Sequence, residues 1–144
     1  MTMDIMLRYK EIQKDERGEI SVLYDTDDGG QKEITILKTN KGFARGGCIH
    51  RLNNELSIVI KGKIRFIGAK LKSEVYIEDD MIWIDKGTPH YFVALEDSIT
   101  IEWGATLDEK KEKDKKMRKI VDEINKKRIK ELKKEDGLLN KIRR

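Results

Sequence analysis

The stretch Gly42–Gly62, "GFARGGCIHRLNNELSIVIKG", contains one of the two histidines in a chain of 144 residues. Cys48 and His50 stand two apart, so on an extended strand both side chains leave the same face. Glu55 lies five residues past His50, an odd step that would put it on the opposite face of one continuous strand. The intervening "RLNN" has turn character, however, and a hairpin there would bring Glu55 back from a neighbouring strand. The second histidine, His90, follows the turn "DKGTP" much later in the chain. Cys48, His50, Glu55 and His90 can therefore converge if the strands around them close into one barrel.

Working outward, the sequence from Ile20 to Trp103 reads as short strands separated by turns. "EISVLYD" and "KEITILKT" alternate and are rich in β-formers, with "TDDGG" between them. "CIHRL", "ELSIVIKG", "KIRFIGAKL", "SEVYIEDD", "MIWIDKG", "HYFVAL" and "SITIEWG" follow at spacings near 8–12 residues. About nine strands in that rhythm predict an all-β sandwich or barrel.

Past Gly104 the character changes. Residues 1–105 hold 15 Lys+Arg against 18 Asp+Glu, a net of −3, whereas residues 106–144 hold 16 against 9, a net of +7. The tail is full of strong helix formers. Thr106 and Glu109 match a capping box, and Gly137 marks the predicted helix end. Met117, Ile120, Val121 and Ile124, then Ile129 and Leu132, form a narrow apolar stripe that slips by one position midway. Two domains are read: a β-barrel over 1–105 and a charged amphipathic helical extension over 106–144. So thin a seam needs a docking surface, either the barrel or a partner subunit. Acids interleave with the lysines and the apolar face lacks Trp and Phe, which argues against nucleic acid and lipid as partners of the helix.

Composition sets the remaining bounds. One cysteine allows no internal disulfide. The N-terminal "MTMDIMLRYKEI" carries charges within its apolar residues and has no signal-peptide core. No run of 18 apolar residues occurs. A soluble, cytoplasmic protein is expected.

The quoted stretch resembles the cupin superfamily. Its first motif, G(X)5HXH(X)3–4E(X)6G, is met by Gly42, Cys48, His50, Glu55 and Gly62, with the first histidine replaced by Cys48. The second motif, G(X)5PXG(X)2H(X)3N, keeps Gly87 and His90, while Asp79, Asp85 and Ala94 replace its other residues. The resemblance covers roughly residues 20–103 and implies a double-stranded β-helix, or jelly-roll barrel, followed here by a long C-terminal α-helix. "ARGGCIHRLNNE" is most similar to the nucleotide-sugar cupins, of the dTDP-4-keto-6-deoxyglucose 3,4-ketoisomerase and dTDP-4-dehydrorhamnose 3,5-epimerase type. There the arginine matching Arg45 often meets the phosphates, and a histidine of the H-x-H segment serves as base.

Three functions follow as alternatives. In a metal-free carbohydrate isomerase or epimerase, His50 removes a proton next to a carbonyl, Glu55 orients it, and Tyr76 or Tyr91 returns the proton. Arg45 anchors phosphate there, with Lys61, Lys63 and Arg65 as weaker candidates. In a metal-binding cupin, acting as an oxygenase, an isomerase or a ligand sensor, His50, Glu55 and His90 hold one divalent transition metal (Fe, Mn, Ni or Zn), with Cys48 as a softer fourth ligand. In a non-enzymatic binding barrel, the lost first histidine marks a degenerate site. A small-molecule ligand, in the leading case a nucleotide sugar, and a homodimer complete the expected partners.

Overall fold

A computed structural model describes residues 7–25, 33–104 and 111–143 of the chain. Two antiparallel sheets face each other. The first holds six strands: β1 (Leu7–Asp15), β2 (Gly18–Asp25), β3 (Glu33–Thr39), β10 (Ser98–Trp103), β5 (Glu55–Lys61) and β8 (Met81–Ile84), in that spatial order. The second holds five: β11 (Lys111–Lys113), β4 (Ala44–His50), β9 (His90–Ala94), β6 (Lys63–Ile67) and β7 (Ser73–Ile77). A single helix, α1 (Lys115–Arg143), ends the described chain. The all-β reading with a long C-terminal helix is what the chain adopts.

Strand alternation builds the core. Leu37, Val59, Ile64, Ile82, Ile84 and Phe92 point between the sheets and bury each other. Leu37 and Phe92 of this cluster stand beside the polar side chains of the site in the same interior.

The turn "RLNN" does not form a hairpin. β4 and β5 lie in different sheets, so residues 51–54 cross from one sheet to the other. Glu55 therefore meets His50 across the interior and not from an adjacent strand.

The C-terminal segment departs from expectation in two places. The helix starts after Asp114, whose Oδ1 accepts from the Met117 N–H at 2.9 Å, an N-cap arrangement. The capping box at Thr106 and Glu109 lies outside the described residues. Gly137 does not end the helix, which runs on to Arg143. An interior glycine costs only about 1 kcal/mol against alanine, and the strong helix formers around it outweigh that.

The docking of α1 follows the predicted stripe. Met117 and Val121 are buried against Ala44, Ile67 and Tyr91 on the outer side of the five-stranded sheet, with Ile120 and Ile124 packed beside them. Among the described residues no helix is long and apolar enough to cross a membrane.

Candidate functional site

The site rests on three inward-facing positions. His50 closes β4, Glu55 opens β5 and His90 opens β9, so each sits where its strand reaches the same end of the interior. Glu55 is 5% exposed. Its Oε1 lies 3.2 Å from His50 Nε2 and 3.4 Å from His90 Nε2. Those are ion-pairing distances, yet the oxygen is aligned with neither nitrogen for a hydrogen bond. The two imidazole rings stack 6.3 Å apart, and Phe66 stacks on His90 at 5.6 Å from the other side.

The backbone sets the tautomer of His90. Its Nδ1 is 2.9 Å from the Thr88 carbonyl oxygen. A carbonyl only accepts, so Nδ1 carries the hydrogen and Nε2 faces the carboxylate. Burial disfavours charge on this ring, but Glu55 beside Nε2, the Thr88 carbonyl and Glu102 outweigh it, leaving the pKa above the ordinary histidine value.

Cys48 is half-buried and pairs in register with His90 across β4 and β9. A local irregularity between Gly46 and Cys48 produces that register. Gly46 has φ +118°, and a Cβ there would stand 2.8 Å from the His90 carbonyl oxygen. Glycine is thus what lets β4 approach the start of β9 so closely.

These groups line a cavity of about 220 Å³ together with Arg17, Arg45, Arg118 and Glu102. Arg45 is 4% exposed and forms part of the cavity wall. Its Nε donates to Thr39 Oγ1 at 2.9 Å and its Nη2 to the Lys38 carbonyl at 3.2 Å. Nη1 is buried with no partner. Burial, then the nearby charge of Arg17, lowers its pKa to about 10, with Asp15 and Glu102 opposing. The other two arginines are committed: Arg17 grips Asp15 with Nη2 at 2.7 Å, and Arg118 Nη1 donates to the Gly46 carbonyl at 2.8 Å.

The sequence-predicted residues divide cleanly. Cys48, His50, Glu55, His90 and Arg45 meet at one cavity. Tyr91 does not. It alternates with His90 and Phe92, so it points out of the barrel and packs under Met117 and Val121. Tyr76 packs edge-on to Phe66 and donates to Glu74 Oε2 at 2.7 Å, away from the cavity lining. Lys61 and Arg65 are exposed, and Lys63 is paired loosely with Glu96 at 3.9 Å; none of them lines the cavity.

Sequence reasoning missed Arg17, Arg118 and Glu102. Glu102 was accessible by parity, since it shares a strand face with the buried Ser98 and Thr100. Arg118 carries no such signal, because its place depends on where α1 docks.

Comparison with known proteins settles the architecture. The chain matches no protein-family profile and no curated protein. Among solved structures it is similar to the capsular polysaccharide assembling protein CapF from Staphylococcus aureus, with a TM-score of 0.55, 23% identity, and coverage of 69% of this chain and 29% of that one. KdgF from Halomonas sp. matches with a TM-score of 0.57 and 17% identity over 69% of this chain and 88% of that one. The E162A mutant of Bacillus subtilis oxalate decarboxylase OxdC matches with a TM-score of 0.59 and 16% identity over 72% and 30%. All three carry cupin barrels. This chain has the cupin fold. This chain covers less than a third of the CapF chain it matches.

The cupin donor set suits a divalent transition metal in kind, being two imidazoles, a carboxylate and a thiol. Its arrangement does not yet suit one. Both imidazoles address a single carboxylate oxygen. Among the described residues no three His, Cys, Asp or Glu side chains are placed to hold an ion.

Proposed function

We propose that this cupin is a carbohydrate isomerase or epimerase that moves a proton next to a carbonyl, on a sugar carrying a phosphate or diphosphate. The observation that carries the reading is the pairing of two imidazoles about one buried carboxylate with a desolvated arginine donor in the same cavity wall. Such chemistry needs a base, an acid and an anchor.

His50 is the base. His90 is the acid in place of the tyrosines, because its raised pKa keeps a proton available and Thr88 fixes its orientation. Glu55 lies against both rings and stabilises the positive charge wherever it resides. Arg45 offers Nη1 to an anionic oxygen, a charge-assisted bond worth roughly 1.5–3 kcal/mol. A cavity of about 220 Å³ is smaller than the roughly 300–1,000 Å³ of pockets for drug-sized ligands. It takes one sugar ring and leaves a nucleotide outside. The description of CapF as a capsular polysaccharide assembling protein accords with a carbohydrate substrate.

Calorimetry with deoxythymidine diphosphate and uridine diphosphate tests the anchor. Binding by the wild type that falls tenfold or more in Arg45→Met supports it. His50→Ala should keep nucleotide binding and lose exchange of a bound ketosugar's α-proton with deuterated solvent, while Cys48→Ser keeps both. Failure of both nucleotides to bind, or equal affinity in Arg45→Met, overturns the reading. Stoichiometric iron, manganese, nickel or zinc in protein purified without added metal would favour the second reading, a metal-binding cupin using His50, Glu55 and His90.

A further inference from the structure

Beside the cavity, at the start of α1, lies a second hollow of about 520 Å³. Five cations line it, Lys113, Lys115, Arg118, Lys119 and Lys126, against two acids, Asp122 and Glu123. Arg118 lines both hollows, so the two adjoin at its side chain. β11 sets Lys113 opposite Cys48 in register, which brings this charge to the end of β4 that carries the site. Along α1 the lysines recur at 115, 119 and 126, a spacing that keeps them on one face, away from the docked Met117, Val121 and Ile124.

The charge at this end of α1 is unfavourable in the protein alone. A helix N-terminus carries partial positive charge and favours acids in its first turn. Past the capping Asp114, α1 has no acid in its first turn and places Lys115 and Lys116 there. Lys115 and Lys119 stand four apart, a like-charge pair that destabilises a helix. Among the described residues Lys113, Lys115, Lys119 and Lys126 have no ion-pair partner. An independent sign of an anion comes from the adjoining cavity, where Arg45 is 4% exposed and its Nη1 is buried without a partner.

We propose that this hollow seats the diphosphate of a nucleotide sugar whose ring lies in the cavity, and that it reads the phosphates and not the base. The inference rests on the isomerase reading of the cavity and deepens it. Arg45 takes an oxygen of the phosphate nearer the ring; Arg118, Lys115 and Lys119, at the positive end of α1, take the outer one. Size agrees, since 520 Å³ falls within the roughly 300–1,000 Å³ of small-molecule sites whereas the cavity of about 220 Å³ does not. Charge selects a short anion over a polymer. Asp122 and Glu123 interrupt the basic row between Lys119 and Lys126, so a nucleic-acid backbone laid along α1 would meet carboxylates. Chemistry removes the base from recognition, because no aromatic side chain among the described residues lines the hollow for it to stack on.

The experiment is calorimetric titration of the full chain with inorganic pyrophosphate, uridine diphosphate and adenosine diphosphate. All three should bind, the two nucleotides within threefold of each other, and binding should weaken as salt is raised. Lys115→Gln combined with Lys119→Gln should lower each affinity tenfold or more. Both lysines are exposed, so that variant should melt as the wild type does. Lys133→Gln combined with Lys134→Gln removes the same charge from the exposed far half of α1 and should change affinity less than twofold. Absence of binding by all three probes, equal losses in the two double variants, no loss in the first, or a tenfold preference between the bases overturns the proposal. If the nucleotides respond to Arg45→Met and not to the Lys115 and Lys119 changes, the diphosphate seat falls and the isomerase reading stands. If they respond to the lysines and bind Arg45→Met as tightly as the wild type, the hollow keeps its diphosphate and the isomerase reading falls.

Discussion

His90 meets three constraints at once: a carbonyl at Nδ1, a carboxylate at Nε2, and the Phe66 ring stacked against its face. The first two favour the imidazolium and burial opposes it, with the sum raising the pKa. A group whose pKa is raised on folding stabilises the fold fully below its unfolded value, about 6.5 for histidine, and loses that contribution as pH rises through the folded value. Wild-type protein should therefore melt above His90→Gln by a margin that is largest near pH 6 and shrinks toward pH 9. Circular-dichroism melts across that range check it, and a margin independent of pH would refute the protonation argument. At this scale the motif spacing already named His50, Glu55, His90 and Cys48. It could not give the depth of Arg45, because burial of a guanidinium depends on Thr39 and Lys38 from another strand. Tyr91 was a readable error, for "HYFVA" alternates and His90 inward means Tyr91 outward.

Helix α1 does more than cover apolar surface. β11 pairs with β4 only at Cys48, Ile49 and His50, which leaves the earlier backbone of β4 without a strand on that edge. The helical segment supplies the missing partners. Asn125 accepts from the Ala44 N–H at 2.7 Å and donates to the Ala44 carbonyl at 3.1 Å. Arg118 donates to the Gly46 carbonyl, the Asp114 N–H to the Gly47 carbonyl at 2.9 Å, and Arg128 Nε to the Lys41 carbonyl at 2.9 Å. An exposed edge is thus closed by side chains. Asn125→Ala leaves two backbone groups of Ala44 without partners and should cost about 1–3 kcal/mol. The exposed neighbour change Lys126→Ala should stay within about 0.5 kcal/mol. Urea unfolding of both variants measures the contrast, and equal midpoints would mean the clamp contributes nothing. Periodicity announced this helix and its buried stripe. It was silent on β11, because "KEK" has poor strand propensity and pairs only through the edge that β4 offers.

At the scale of the molecule, the slip in the apolar stripe after Ile124 marks where the barrel stops supporting the helix. Arg128, bonded to Lys41, is the last helical residue with a hydrogen bond to the barrel among the described residues. From Ile129 to Arg143 the helix continues for 15 residues, about 22 Å, and Leu138, Leu139 and Ile142 are exposed. The charge split between barrel and tail was visible in composition. The division of the tail into a docked half and a free half was not, since both halves are equally rich in lysine and leucine-like spacing. Stability should follow docking and not length. Removing residues 132–144 keeps Met117, Val121, Asn125 and Arg128, and should move the melting temperature by only a few degrees while leaving nucleotide binding unchanged. Removing residues 114–144 uncovers Ala44, Ile67 and Tyr91 and strips β4 of its side-chain partners, and should yield aggregated protein. Differential scanning calorimetry and calorimetric titration on the two truncations separate the cases. If the shorter deletion also destroyed folding, the free half of the helix would have to be holding the barrel through contacts that its exposure argues against.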